Sequence, residues 1–428
     1  MKKSTFFSLL MVLVVVTFSC KKSNDNSPTT GTIKGTITDI ASTQGIANVR
    51  IIAFNANTNE PSGNSVTTGN DGSYQIQLDP GTYYLNLSKQ GYNGIPAPGT
   101  TPVSITIETG KETAGNFQMT ASSVTNGGTI SGKVTTGNNA LAGVLVVANN
   151  GTSGYSSVSG TDGSFYIYNV PAGSYQIKGF LSNYASVSVN ASVTAGNESS
   201  NNNLALTNGV TGSVTGSVTF LATNNGEVDV TLTNPFTKET IPGLVTKTQG
   251  GIYTIAKVPD GTYIVKASFA NDGYVVDPDW ILRNGDPTVT ISGNNASQNF
   301  SVTGAVKLIS PTNDSTTTVP IQITGTTPTF SWTAYSSVSD YVIEVSDING
   351  NVLWGGFTKS VSTITKNIII PKSQLSIVYN SDSKAVSALK SNVVYRWRIY
   401  ASKDDNSSPT GWKLISVSEE QRGLFMIK

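Results

Sequence analysis

The side chains able to do chemistry in this 428-residue chain are few, and one of them stands alone. Cysteine occurs once, at Cys20, and histidine does not occur at all. Without histidine the chain lacks the commonest general base, the commonest transition-metal ligand and the usual pH switch. Ser-His-Asp and Cys-His catalysis are excluded, as are zinc sites built from His and Cys. What remains is carboxylate chemistry or an oxygen-ligand site for calcium. No pair of carboxylates falls within one motif, so a carboxylate-dependent hydrolase is the least supported reading.

Cys20 follows a basic start (Lys2, Lys3), an apolar run from Phe6 to Phe18, and Ser19. The run is shorter than the ~20 apolar residues that span a bilayer, so residues 1–19 read as a secretory signal peptide. The segment resembles a bacterial lipoprotein signal of the Bacteroidetes type, in which the cysteine becomes the lipidated first residue. Thr17 and Phe18 depart from that motif's usual aliphatic and small residues. An ordinary cleaved signal is the alternative. It would leave an exported, unpaired thiol, and the polar stretch Lys21–Thr30 suits a flexible tether instead. The resemblance implies a lipid anchor at Cys20 in the outer membrane, at the cell surface or on the periplasmic face.

Outside that segment the chemistry-bearing residues gather in one place. NDGYVVDPDWILRNGDPT from Asn271 brings Tyr274, Asp277, Asp279, Trp280 and Arg283 together. Carboxylates beside an aromatic platform could hold sugar hydroxyls or a calcium ion, although Asp-Pro and Gly-Asp-Pro are also plain turn formers. Trp354 and Trp412 adjoin glycine or charge and are further candidates for ligand stacking; Trp332 and Trp397 lie on alternating apolar faces and belong to a core. Asp71 and Asp162 each stand nearly alone in a turn, which favours turn geometry over calcium. No cofactor is implied. Asp314-Ser315-Thr316 resembles a short O-glycosylation acceptor motif.

The elements that must position these residues are strands. Charged residues make up 12% of the chain, about half the usual share, and net charge is +1. With no basic patch to neutralise phosphates, nucleic acid is excluded as a partner. A pattern recurs roughly every ninety residues: GTIKGTI from Gly31, GTISGKV from Gly128 and GSVTGSV from Gly212. Each is followed by a hairpin: NDGSYQIQLDPGTYYLNL from Asn70, TDGSFYIYNVPAGSYQIKGF from Thr161 and QGGIYTIAKVPDGTYIVKASF from Gln249. Gly91-Tyr92, Asn183-Tyr184 and Gly273-Tyr274 come next, and NFQM, NLAL and NFSV close the copies from Asn116, Asn203 and Asn299. The paired glycines suit bulges or close backbone approach.

The copies resemble the carboxypeptidase regulatory-like domain, a transthyretin-like β-sandwich, with repeats at 31–120, 127–207 and 211–304. In metallocarboxypeptidases that domain is a folding or scaffolding module without catalytic residues. TFSWTAYSSVSDYVIEVSD from Thr329 and YRWRIYA from Tyr395 make residues 305–428 resemble a fibronectin type III-like domain, with Arg396 and Arg398 directed outward. Lys359 to Asn392 is long for that fold and is expected to hold an extra strand and a short helical turn. The fold class is therefore all-β, as tandem antiparallel β-sandwiches, three transthyretin-like and one fibronectin type III-like. Residues 20–30 form the tether. Four domains of ~30–40 Å each, joined by short linkers at 121–126 and 207–211, predict a semi-rigid rod of ~120–160 Å. The expected role is non-catalytic: a lipid-anchored protein presenting a binding surface to a polysaccharide or another envelope protein, or a purely structural stalk.

Overall fold

Alternation of apolar and polar residues at period two gives each repeat a strand with one buried face. In Gly31–Asp39 the residues sealed from solvent include Ile33 and Ile37, which meet Ile51, Ala53, Leu85 and Leu87 of a second sheet. A computed structural model of the chain describes residues 29–58, 60–96, 104–209, 211–221, 226–267, 273–313, 320–347, 350–361 and 363–428. Cys20, the tether up to residue 28 and the Asp314-Ser315-Thr316 motif lie outside the described residues.

The first repeat is a two-sheet sandwich. One sheet centres on Gly31–Asp39, with Ser73–Leu78 antiparallel on one side and Glu112–Ala114 and Phe117–Met119 parallel on the other. The second runs Pro61–Thr67, Arg50–Asn55, Gly81–Ser88, Ser104–Ile107, all antiparallel. The second and third repeats follow the same plan around Gly128–Thr136 and Gly212–Phe220. The fold is thus tandem, mainly antiparallel β-sandwiches, with a parallel seam where each closing strand meets its opening strand.

Three sequence devices build that seam and the hairpin beside it. A Cβ on Gly35, Gly132 or Gly216 would lie 2.2, 2.4 or 2.0 Å from the carbonyl oxygen of Gly115, Asn202 or Gln298. Only glycine lets the closing strand approach this closely. There the closing asparagine takes over the ladder: Oδ1 of Asn116, Asn203 and Asn299 accepts from the backbone N–H of Thr36, Lys133 and Ser217 at 2.9, 2.9 and 2.8 Å. In the hairpins, the hydroxyls of Tyr83, Tyr175 and Tyr263 donate to the carbonyls of Asp79, Pro171 and Pro259 at 3.0, 2.9 and 2.8 Å. Asp71 and Asp162 are turn formers, each accepting from the backbone and hydroxyl of the serine two residues on.

The fourth sandwich sets Leu308–Ser310, Thr329–Trp332 and Ser376–Val378 against a larger sheet. That sheet runs Ile321–Ile323, Leu424–Ile427, Val394–Asp404, Asp340–Asp347, Val352–Gly355. Trp332 and Trp397 are fully buried between the layers, as their alternation predicts. The long 359–392 connection holds the extra strands Ile364–Lys366, Ile370–Pro371 and Ser376–Val378, but its described residues form no helical turn.

Two expectations are corrected. Helix is present in the third repeat, at Pro278–Asn284. Asp277 caps it by accepting from Asp279 N–H, Pro278 fits its first turn, and Asp279 pairs with Arg283 one turn on. The straight rod is also replaced. Gln322 Nε2 of the fourth sandwich donates to Gln118 Oε1 of the first repeat at 3.1 Å, so the row turns back on itself.

Candidate functional site

The helix carries the residues picked out as a ligand loop, and the structure places them at the joint between the third repeat and the fourth sandwich. Arg283 binds Asp279 through Nε at 2.8 Å and Nη2 at 3.1 Å. The same Nη2 donates to Thr410 Oγ1 at 3.1 Å and to the Trp412 carbonyl at 2.9 Å. Asp279 Oδ1 accepts the Leu414 N–H at 2.9 Å. The Trp412 ring has the Arg283 guanidinium at 5.6 Å, the Lys366 ammonium at 4.6 Å and Phe357 stacked at 5.9 Å. Lys366 is itself held by both Asp340 oxygens at 2.7 Å.

Asp279, Arg283 and Trp412 are therefore brought together, but their polar atoms and ring faces are occupied by protein. Asp277 is committed to the helix cap, and burial pushes its carboxyl above the ordinary range. Tyr274 packs edge-on against Phe220 at 5.3 Å. Trp280 alone presents a large surface, being 50% exposed. Trp354 is corrected outright: it is 2% exposed, sits among Phe330 and Tyr379, and donates Nε1–H to Asp382 at 2.7 Å. Its glycine neighbours end the strand and do not expose the ring. Among its described residues, the geometry of the loop is that of a domain clamp. Among the described residues no three His, Cys, Asp or Glu side chains converge as a metal site.

Sequence reasoning missed a site that recurs. The turn after each hairpin, Gly91-Tyr92, Asn183-Tyr184 and Gly273-Tyr274, points its first backbone N–H at the following domain. Gly91 N–H donates to Asn169 Oδ1 at 2.7 Å, Asn183 N–H to the Lys257 carbonyl at 2.8 Å, and Gly273 N–H to Glu419 Oε1 at 3.1 Å. Asn169 and Lys257 occupy matching positions ahead of the Pro-x-Gly turn, and both have φ of +59°. The recurrence of Gly/Asn-Tyr was visible in the sequence; its partners, some 75 or more residues away, were not.

Apolar packing and charge complete the joints. Leu145, Val147 and Phe180, on the outer face of the second repeat, join the core of the third. Arg50 of the first repeat is 7% exposed, donates to the Ser164 carbonyl at 3.0 Å and lies over the Tyr166 ring. Ser156 donates to Glu239 across the second joint, where burial pushes the Glu239 carboxyl up. At the third joint Lys266 binds Glu420 at 3.1 Å. Burial alone would raise Glu420, but Lys266, Arg398 and Arg396 together hold it well below the usual carboxylate range. Arg396 and Arg398 do point away from the core, yet they face this charged cluster more than open solvent.

Residues 32–120 match the carboxypeptidase regulatory-like domain. The first repeat carries that domain, which is non-catalytic. No curated protein matches the chain. Among solved structures, the Bacillus anthracis TIE protein is similar at 17% identity over 64% of this chain and 51% of its own, with a TM-score of 0.18. BcpA, the major pilin subunit of Bacillus cereus, is similar at 12% identity over 64% of this chain and 100% of its own, with a TM-score of 0.18. A DUF3823 family protein from Bacteroides uniformis is similar at 14% identity over 51% of this chain and 100% of its own, with a TM-score of 0.21. Likeness this low leaves function to be argued from the chain itself.

Proposed function

We propose that the chain is a non-catalytic, lipid-anchored scaffold of the bacterial envelope, held in the outer membrane by an acylated Cys20. Its row of sandwiches is a jointed but stiff body that sets a binding surface, for a polysaccharide or another envelope protein, at a fixed place relative to the membrane. The supporting observation is the repeated docking of one turn N–H onto the next domain, at Gly91, Asn183 and Gly273. A joint opened three times by the same turn N–H, and closed by buried or half-buried side chains, restricts the freedom that short linkers alone would leave.

Two measurements test this. Metabolic labelling with a radioactive or clickable fatty acid should mark the wild-type chain and not Cys20→Ala; equal labelling would remove the anchor. Limited proteolysis of the purified chain should spare the joints at 121–126 and 207–211. Early release of single sandwiches would rule out a stiff body. Protease shaving of intact cells then decides between the cell surface and the periplasmic face.

A further inference from the structure

The second repeat carries a patch that its two siblings lack. On the outer face of its second sheet, Gln176 lies opposite Asn190 on one neighbouring strand and Asn149 on the other, and Ser174 lies opposite Ser192. Strand spacing of about 4.8 Å sets these three amides in a row, and the two serines form a second row about 7 Å further along. Gln176, Asn190, Ser174 and Ser192 are exposed, and among the described residues their side chains have no hydrogen-bond partner within the protein. The turn after Asn149 rises beside them, fixed by Asn150 Oδ1 accepting from the N–H groups of Thr152 and Ser153. Together they line a shallow groove of about 680 Å³, with Ala191 in its floor. That volume falls in the range of small-molecule sites.

The siblings differ at the matching positions. The first repeat sets Tyr84 opposite Ser104, and the third sets Ile264 opposite Thr288. In the third, Thr262 and Thr290 satisfy one another at 3.0 Å. Among the described residues, only the second repeat sets two amides without side-chain partners, Gln176 and Asn190, beside a facing pair of hydroxyls; the third amide, Asn149, is held by the Gln176 carbonyl and the Gly151 N–H.

We infer that this groove is a binding site for a neutral oligosaccharide. No charged side chain lines it, so neither an anion nor a cation finds a counter-charge, and its floor is too small to hold an apolar ligand by burial. A primary amide offers two donors and two acceptor lone pairs, which suits the paired hydroxyls of a sugar ring. Strand spacing sets where the three amide side chains start, and Asn149 is further held by the Gln176 carbonyl and the Gly151 N–H, while ordering Gln176 and Asn190 is a cost that the sugar contacts must offset. The inference names one occupant for the binding surface proposed above and rests on that reading; the groove shares the face that docks on the third repeat, lying beyond Lys178, whose Nζ donates to the Asp260 carbonyl at 3.1 Å.

The test uses the full chain in affinity electrophoresis through gels containing dextran, mannan, xylan or laminarin, with polygalacturonate and alginate as anionic probes. Retardation by at least one neutral polysaccharide is expected, with dissociation constants measured on its oligosaccharides. Gln176→Ala with Asn190→Ala should weaken that binding at least 10-fold. Asn190→Asp, nearly isosteric, should also weaken it, and Thr262→Ala with Thr290→Ala in the third repeat should leave it within twofold. Unchanged thermal melts guard against misfolding, because all four positions lie on sheet faces. Failure of every neutral polysaccharide to bind overturns the inference, as does retardation that ignores the amide variants or favours the anionic probes. The scaffold reading survives either failure, since it is tested by labelling and proteolysis.

Discussion

Arg283 shows how a residue chosen for its chemistry comes to serve a joint. Its guanidinium neutralises Asp279 within one helix and reaches two groups of another domain. Arg283→Ala removes a two-point charged contact and leaves the Trp412 carbonyl and Asp279 without it, so a loss of about 1–3 kcal/mol at the third joint is expected. Denaturant melts of the full chain measure this, with Trp280→Ala as the contrast. The half-exposed Trp280 should change stability by no more than about 0.5 kcal/mol. Glu239 and Glu420 predict opposite responses to charge removal. Burial raises the folded pKa of Glu239 above its unfolded value near 4.5. The folded form therefore holds the proton more tightly, and its contribution is complete below pH 4.5 and declines as pH rises through the folded value. Glu239→Gln should raise the melting temperature at pH 7 and match the wild type near pH 4. Glu420 has a depressed folded pKa, so its contribution is present above pH 4.5 and lost only as pH falls through the low folded value. Glu420→Gln at pH 7 should cost about 1–3 kcal/mol, because Lys266, Arg398 and Arg396 lose a shared partner. A stabilised Glu420→Gln would refute the ionic account of the third joint. The residues of this loop were legible in the sequence, but their role was not. Thr410, Trp412 and Leu414 are about 130 residues away, and no local spacing announces a partner at that distance.

At the scale of elements the sequence was far more readable, because each device acts between strands that the repeats write three times. The period-two pattern gave the buried faces, and the opening glycines gave the close approach of the closing strand. The closing asparagine was visible as a recurring letter of the three copies, while its work as a ladder substitute depends on where the parallel strand breaks. Gly216→Ala would set a methyl carbon 2.0 Å from the Gln298 carbonyl oxygen, and backbone cannot retreat as a flexible side chain can. A loss above about 3 kcal/mol, or failure of the third repeat to fold, is expected. Gly94 tests the reasoning from the other side: a Cβ there meets only the Leu87 carbonyl at 3.4 Å, an ordinary contact. Gly94→Ala should be tolerated within about 1 kcal/mol, and equal damage from the two substitutions would mean that close approach is not what the motif protects. The helix at Pro278–Asn284 escaped notice because seven residues give less than two full helical periods, while Asp-Pro and Gly-Asp-Pro read first as turns.

The whole molecule follows from the joints. A row of domains is straight only if successive contacts lie on opposite ends of each domain. Here the docking turn of each repeat and the outer face of its second sheet both meet the next domain, as Asn183 and Phe180 do in the second repeat. The contact is lateral as well as end-on, so each domain is swung relative to the last, and by the fourth the chain has come round to the first, where Gln322 meets Gln118. Repeated joints with a fixed swing make the curvature a property of the repeat, as in solenoid proteins. The Gln118 contact is an exposed hydrogen bond, worth about 1 kcal/mol or less, and reports the curvature without causing it. Small-angle scattering separates the possibilities. A straight row of four domains at ~35 Å each would have a radius of gyration of roughly 40 Å, whereas the curved row should stay below about 32 Å. Gln118→Ala should leave that value unchanged, while Arg283→Ala combined with Glu420→Gln should loosen the last domain and raise it. A wild-type value near 40 Å would return the molecule to the straight rod that its linker lengths suggest.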